Sequence, residues 1–199
     1  MTPKSKKRLD PAVIIDAAIK LVEEQGLAEL SARKLAGSLH CEAMSLYYHF
    51  SNMDALHDSI VDRLLSTLDF LIDPGQSPRE RLRKSCRSYL MMAVRFPRCF
   101  PLAATRLWRT PSAMLAAQGL LAIFAAAGHP APLALAKMRA IGAYLNGAGL
   151  ALAAWQVSNG AAHPAVIAAL PEQEPSALDR DAVLRDLMAG LDSLIDALL

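Results

Sequence analysis

Residues Leu30 to Phe50 read LSARKLAGSLHCEAMSLYYHF. Two short helices separated by a tight turn account for this stretch. Leu35, Ala36 and Leu39 give the first helix an apolar face, and Leu46, Tyr47 and Phe50 give one to the second. Ser31 is placed to cap the first helix, because its hydroxyl can accept a backbone N–H that has no helical partner. His40-Cys41 fall where the chain must reverse, and Glu42 sets a negative charge at the positive end of the second helix. An ordinary helical hairpin has this pattern too. The flanking sequence favours a helix-turn-helix, whose second helix would lie in a DNA major groove.

On the N-terminal side, Asp10 can cap a helix with Pro11 at its first position, where no N–H is required. Val13, Ile14, Ala17, Ala18, Leu21 and Val22 then repeat at helical spacing up to Gly26, which stops the helix. On the C-terminal side, Ser51 and Asp54 stand at capping-box spacing and open a fourth helix with Leu56, Ile60, Leu64 and Leu68 on one stripe. That helix ends before Asp73-Pro74-Gly75. Three small helices would form a reading head over residues 1–58, and a helical second domain would occupy 59–199. The boundary falls inside the fourth helix, which makes it a rigid connector.

Beyond it, Pro and Gly punctuate an all-α pattern. Helices are expected at about Arg79–Arg95, Phe100–Trp108, Thr110–Ala127, Leu133–Ser158 and Asp179–Leu199, with Ala162–Ser176 as a proline-bearing loop. The composition agrees: 53% of the 199 residues are hydrophobic and only 6% aromatic, with alanine and leucine dominant. A formal charge of +2 offers no argument for nucleic acid. Even the first sixty residues carry eight acids (10, 16, 23, 24, 29, 42, 54, 58) against seven Lys/Arg (4, 6, 7, 8, 20, 33, 34). Binding to DNA therefore has to rest on where the charges sit. Cys41, Cys86 and Cys99 lack metal or disulfide spacing, and the polar N-terminus MTPKSKKRLD lacks a signal core, so a reducing cytoplasm is expected. The eighteen uncharged residues Ala140–Val157 read as a buried helix of an oligomer rather than a membrane span, because Asn146, Gln156 and internal glycines interrupt them.

The run ending in Gly26, LSARKLA at 30–36, SLYYHF at 45–50, and Asn52 followed by Asp54-Ala55-Leu56 together resemble the TetR-family transcriptional regulators, and within them the tetracycline-repressor branch. The resemblance covers about Pro11–Asp58. It implies a dimeric repressor on double-stranded DNA, with a small-molecule effector bound in the second domain. Two positions depart from the family: His40 stands where glycine is usual, and Met53 where a phosphate-binding lysine is usual. His40 is expected at positive φ, and Met53 removes one backbone contact.

By resemblance, Arg33 reaches a base edge, where a guanidinium can bridge the two acceptors of guanine. Glu42, Ala43, Met44 and Ser45 form the exposed start of the recognition helix; Ala43 and Met44 suit a thymine methyl. Tyr47 and His49 reach phosphates, and Tyr48 either does so or packs against the first helix. Ser31, Lys34 and the arm Lys4–Arg8 complete the interface.

In the second domain, small residues Ala143, Gly147 and Ala151 with Leu191, Leu194 and Leu198 are expected to form a four-helix dimer interface. Tyr89, Met92, Phe96, Phe100, Arg106, Leu107, Trp108, Phe124, Tyr144 and Asn146 are candidate pocket residues, about half of them expected to be plain core. Nine Lys/Arg face a single acid between Arg79 and Arg109; solvated helix faces explain most, and Arg106 turned inward would suit an anionic effector. His129, His163 and Glu172 do not form a metal site, and no cofactor is expected. Two rivals remain: a sensor or adaptor of the same fold that has lost operator binding, and a small helical enzyme using Cys86 or His129. A nucleophile elbow is absent, so the enzyme reading is set aside.

Overall fold

The computed structural model describes residues 9–68, 75–158 and 180–199. The basic arm Lys4–Arg8 and the loop Ala162–Ser176 lie outside them. Helix α1 (Pro11–Gln25) begins where Asp10 Oδ1 accepts the Ala12 N–H at 2.9 Å and ends at Gly26, whose φ of 94° an L side chain seldom adopts. Its buried positions Ile14, Ala18, Leu21 and Val22 form one helical stripe. A 3-10 turn at Leu27–Glu29 leads to α2 (Ala32–Ser38), whose first turn is closed by Ser31 Oγ accepting from Lys34 N at 3.3 Å.

The turn after α2 is a Schellman motif. Cys41 N–H donates to Ala36 O at 3.0 Å and His40 N–H to Gly37 O at 3.2 Å, with His40 in the left-handed position at φ 53°. His40 is the only non-glycine residue at positive φ among the described residues. Helix α3 (Ala43–Tyr47) follows, and Leu46 and Phe50 bury themselves beside Leu35 and Ala36.

Helix α4 (Met53–Leu65) is capped differently from the sequence expectation. Asn52, not Ser51, is the cap, its Oδ1 accepting from Ala55 N at 2.8 Å. Asp54 cannot close a box with Ser51 because its carboxylate faces His57 and Arg106 instead. One side of α4 packs on α1; the other packs on α6 (Phe100–Thr105) and α7 (Pro111–Ala126). Helix α6 is shorter than expected, because Arg106 turns to ψ 150° and leaves the helix.

Helix α5 (Pro78–Arg95) starts from a Ser77–Glu80 capping box, with Ser77 N–H donating to Glu80 Oε2 at 2.8 Å. It packs along α8 (Ala131–Val157), the long helix that also touches α6, α7 and the last helix, α9 (Arg180–Leu198). One apolar core runs from Ile14 in α1 to Ile195 in α9. Ile141, Leu145 and Leu152 of the uncharged stretch are buried in it, and no helix among the described residues is long and apolar enough to cross a membrane.

Within this core the α8 backbone at Gly149 passes close to the ring of Phe100. A Cβ on Gly149 would sit 2.3 Å from Phe100 Cζ, and the fully buried ring is held edge-on by Tyr89 at a centroid distance of 5.3 Å. Gly149→Ala should therefore destabilise the fold by about 1–3 kcal/mol in chemical denaturation, in spite of alanine's better helix propensity. At Gly142 a Cβ meets nothing within 4 Å, so Gly142→Ala should instead stabilise, by up to about 1 kcal/mol. The opposite signs check the packing claim.

Candidate nucleic-acid interface and helical cavity

Burial of Leu35, Ala36, Leu46 and Phe50 turns the remaining side chains of α2 and α3 outward. Arg33, Lys34, Glu42, Tyr47 and His49 are exposed, Met44 is 66% exposed and Tyr48 is 87% exposed. Tyr48 thus does not pack on α1. Ala43 and Ser45 are half-buried on the same short helix. Ser31 is exposed, with its hydroxyl engaged as the α2 cap. Lys34 is paired with Glu29, whose carboxyl is held below its ordinary pKa chiefly by that hydrogen bond. Among the described residues, Arg33 is the cation of α2 and α3 with no carboxylate partner. A face with one free guanidinium, an exposed thioether and two aromatic rings can read bases and stack against sugar-phosphate, but gains little from bulk electrostatics.

This head is held by three polar clamps. Arg106 Nε donates to Asp58 Oδ1 at 2.8 Å, and its Nη1 approaches Asp54 Oδ1 at 3.4 Å, both acids being on α4. Asp62 of α4 accepts from Ser112 N at the start of α7, at 2.8 Å. At the other end of α6, Glu23 of α1 accepts from Cys99 N at 2.8 Å, while Arg98 donates to the carbonyls of Glu23 and Glu24. His57, between the two aspartates, has its pKa lowered mainly by burial and then by the Arg106 charge, so it stays neutral near pH 7. Arg79 and Arg83 pair with Asp196 and Asp192 of α9. Of the nine Lys/Arg between Arg79 and Arg109, Arg79, Arg83, Arg98 and Arg106 thus reach distant partners, while Lys84, Arg87, Arg95 and Arg109 lie on exposed faces.

Behind Arg106 lies a cavity of about 250 Å³ between α5, α6, α7 and α8. Ser85, Cys86 and Tyr89 come from α5; Ala104 comes from α6, with Arg106, Leu107 and Trp108 from the segment after it. Ala117 and Leu120 come from α7, and Met138, Gly142, Leu145 and Asn146 from α8. Tyr89 Oη donates to Asn146 Oδ1 at 2.7 Å, and Trp108 Nε1 donates to Ala103 O at 3.1 Å. Of the candidate pocket residues, Tyr89, Arg106, Leu107, Trp108 and Asn146 line this space. Met92, Phe100 and Phe124 are buried in the core, Phe96 packs against it from its edge, and Tyr144 turns to α9, donating to Leu187 O at 2.7 Å. Burial pushes the Cys86 thiol up to about 12. A thiol held neutral is the opposite of a nucleophile. His129 lies at 2.8 Å from Lys137 Nζ, and no group of three or more potential metal ligands occurs among the described residues.

Sequence reasoning missed Asp54 and Asp58 as partners of Arg106, and Cys86, Met138, Gly142 and Leu145 as cavity wall. The helical spacing of Met138, Gly142, Leu145 and Asn146 could have found the last three. On the opposite side of α8, Ala143, Gly147 and Ala151 are exposed, as expected of a stripe available to a partner. Leu194 and Leu198 are half-buried at the edge of the core. Leu191, in contrast, is fully enclosed by this chain's own core and has no surface left for a partner.

Residues 14–60 match the bacterial regulatory proteins of the tetR family. Over 158 residues the chain is 29% identical to an HTH-type transcriptional regulator of Saccharopolyspora erythraea, which covers 77% of this chain and 67% of that one. It is 34% identical over 91 residues to the class D tetracycline repressor protein of Escherichia coli, covering 45% of this chain and 42% of the repressor. The chain thus spans less than half the length of that relative. In three dimensions it is similar to TetR-Q116A from Acinetobacter baumannii AYE, solved in complex with minocycline, with a TM-score of 0.75, 25% identity, and 95% of this chain and 96% of that one covered. A reading head matched through all its helices is backed by likeness of fold along nearly the whole chain: residues 14–60 match the tetR family of bacterial regulatory proteins, and the rest is similar to solved members of that family.

Proposed function

We propose that this chain is a ligand-responsive, dimeric transcriptional repressor. It binds a pseudo-palindromic operator and leaves it when a small molecule occupies the helical cavity. The observation that carries the reading is a continuous physical path. Arg106 walls the cavity and holds Asp58 at 2.8 Å, and Asp58 lies on α4, which follows α3 after a few residues. A ligand that binds the latched and unlatched arrangements with different affinity shifts the position of the reading head. The minocycline complex of the A. baumannii relative supports a ligand-bound state in this fold. Residues 1–58 act as the reading head and 59–199 as the effector and dimer domain, with α4 shared between them, in the cytoplasm where the operator is.

In the dimer, α8 presents Ala143, Gly147 and Ala151 to its symmetry mate, with Leu194 and Leu198 beside them. Two-fold symmetry then sets the recognition helices about 34–36 Å apart on successive faces of the major groove. On DNA, Arg33 reads a base edge, Met44 and Ala43 meet methyl groups, and Ser45, Tyr47, Tyr48 and His49 approach backbone or base edges around them.

The sensor reading without operator binding is favoured by one observation: Met53 packs against the core at the site of an expected phosphate-binding lysine, and Lys34 is already paired. Selection from a random DNA library followed by shift assays across salt separates the two. The repressor reading expects a palindromic consensus and salt-dependent binding; no enriched sequence at any salt favours the sensor. On the selected site, Arg33→Ala should cost about 1–3 kcal/mol and relax the preference at one base pair per half-site. An unchanged consensus would remove Arg33 from base reading. Gly147→Arg adds a long side chain where a Cβ meets nothing within 4 Å in the single chain. It should leave helical content intact and convert dimer to monomer in light scattering, whereas a persistent dimer would move the interface off α8.

A further inference from the structure

The cavity lining carries little charge that a ligand could use. Cys86 and Tyr89 are buried neutral groups, and Arg106 is the cationic side chain among the residues that wall the space. Its guanidinium is already balanced: Nε donates to Asp58 at 2.8 Å, Nη1 approaches Asp54 at 3.4 Å, and Nη2 lies near the Asp54 carbonyl at 3.5 Å. Two carboxylates share one guanidinium, so an anion entering beside Arg106 meets no uncompensated positive charge. Inward-turned arginine therefore does not select an anionic effector here, contrary to the sequence expectation.

What the cavity does offer is surface for a flat apolar molecule and a polar handle. The rings of Tyr89 and Trp108 stand 6.1 Å apart at 46°, and Leu120, Leu145 and Met138 add aliphatic and thioether surface. Gly142 removes a side chain from the α8 wall, leaving open space where a Cβ would project. The handle is the Tyr89–Asn146 pair. With the tyrosine hydroxyl donated to Asn146 Oδ1, the Asn146 amide N–H groups are left as donors on the cavity wall, with no acceptor among the described residues. A volume of about 250 Å³ is below the roughly 300–1,000 Å³ of sites for drug-sized ligands, which limits the occupant to one or two rings.

We propose that the cavity takes an uncharged, flat, one- or two-ring aromatic molecule carrying a hydrogen-bond-accepting carbonyl, which the Asn146 amide receives. This rests on the effector reading above and names the chemical class of that effector. The ligand buries its rings against Trp108 and Tyr89 and leaves the Arg106–Asp58 pair intact as it enters. Its influence on α4 comes from displacing the Arg106–Trp108 wall, not from competing for the guanidinium.

The test uses the full chain and four isosteric probes in calorimetry: 2-acetylnaphthalene, 2-ethylnaphthalene, 2-naphthoate and 2-(aminomethyl)naphthalene. The neutral ketone should bind about tenfold or more tightly than the hydrocarbon, the anion and the cation. Asn146→Leu should remove the ketone's advantage over 2-ethylnaphthalene, with 2-ethylnaphthalene still bound. That second measurement also reports that the variant cavity is folded. Naphthoate binding as tightly as the ketone overturns the proposal. So does a ketone no better than the hydrocarbon, an Asn146→Leu protein that keeps the preference, or no binding of the ketone. Operator affinity measured in the same samples keeps the two readings apart. A ketone that binds by way of Asn146 yet leaves operator affinity unchanged supports the ligand class and counts against the effector role alone.

Discussion

The Arg106 guanidinium is the point on which the molecule's two halves depend. Its side chain is only 26% exposed, and it faces two acids on one helix while forming part of the cavity wall. A surface ion pair is worth about 0–1 kcal/mol, and breaking a fully buried one costs about 3–5 kcal/mol. This pair, part-exposed on both sides, is intermediate between the two. The Asp62 and Glu23 clamps act on the same elements. Together they bind both ends of α6 and the start of α7 to the reading head. In the proposed mechanism these polar contacts convert a local displacement at Leu107 and Trp108 into a movement of the whole head, because a packed helix moves as a body rather than bending.

Stiffness inside the head makes that transfer useful. Three of its helices are bounded by specific local devices: Asp10 and Gly26 for α1, Ser31 and the Schellman turn for α2, and Asn52 at the start of α4. A histidine in the left-handed position of that turn is tolerated more readily than most side chains. With α2 and α3 fixed to each other, Arg33, Met44 and Tyr48 keep their relative positions, and a shift of α4 carries them together. On α2 and α3 Arg33 is the cation without a carboxylate partner among the described residues, so recognition by this face depends on register more than on attraction.

Legibility in the sequence followed distance along the chain. The Asp10–Pro11 start, the Ser31 cap, the stop at Gly26 and the positive φ of His40 were readable, because each depends on neighbours within a few residues. The Asn52 cap was misplaced by one position, since Asp54 is drawn away by an arginine 52 residues further on. That pairing, like Arg106–Asp58 across 48 residues and Tyr89–Asn146 across 57, has no local signature. The pairing of Arg79 and Arg83 was hidden for the same reason: their partners Asp196 and Asp192 sit at the far end of the chain. On α8 the exposed stripe Ala143, Gly147 and Ala151 was visible as a pattern of small residues, but the enclosure of Leu191 was not, because every leucine of a stripe looks alike until its neighbour is known.

The coupling between Arg106 and Asp58 is measured most directly by a double-mutant cycle on operator affinity, with Arg106→Gln, Asp58→Asn and the two together. If the pair latches the head in its DNA-binding position, each single change weakens operator binding by about 1–2 kcal/mol and the double variant loses little more than either. Losses that simply add would contradict the latch, and would leave the cavity and the reading head without the connection on which the account depends.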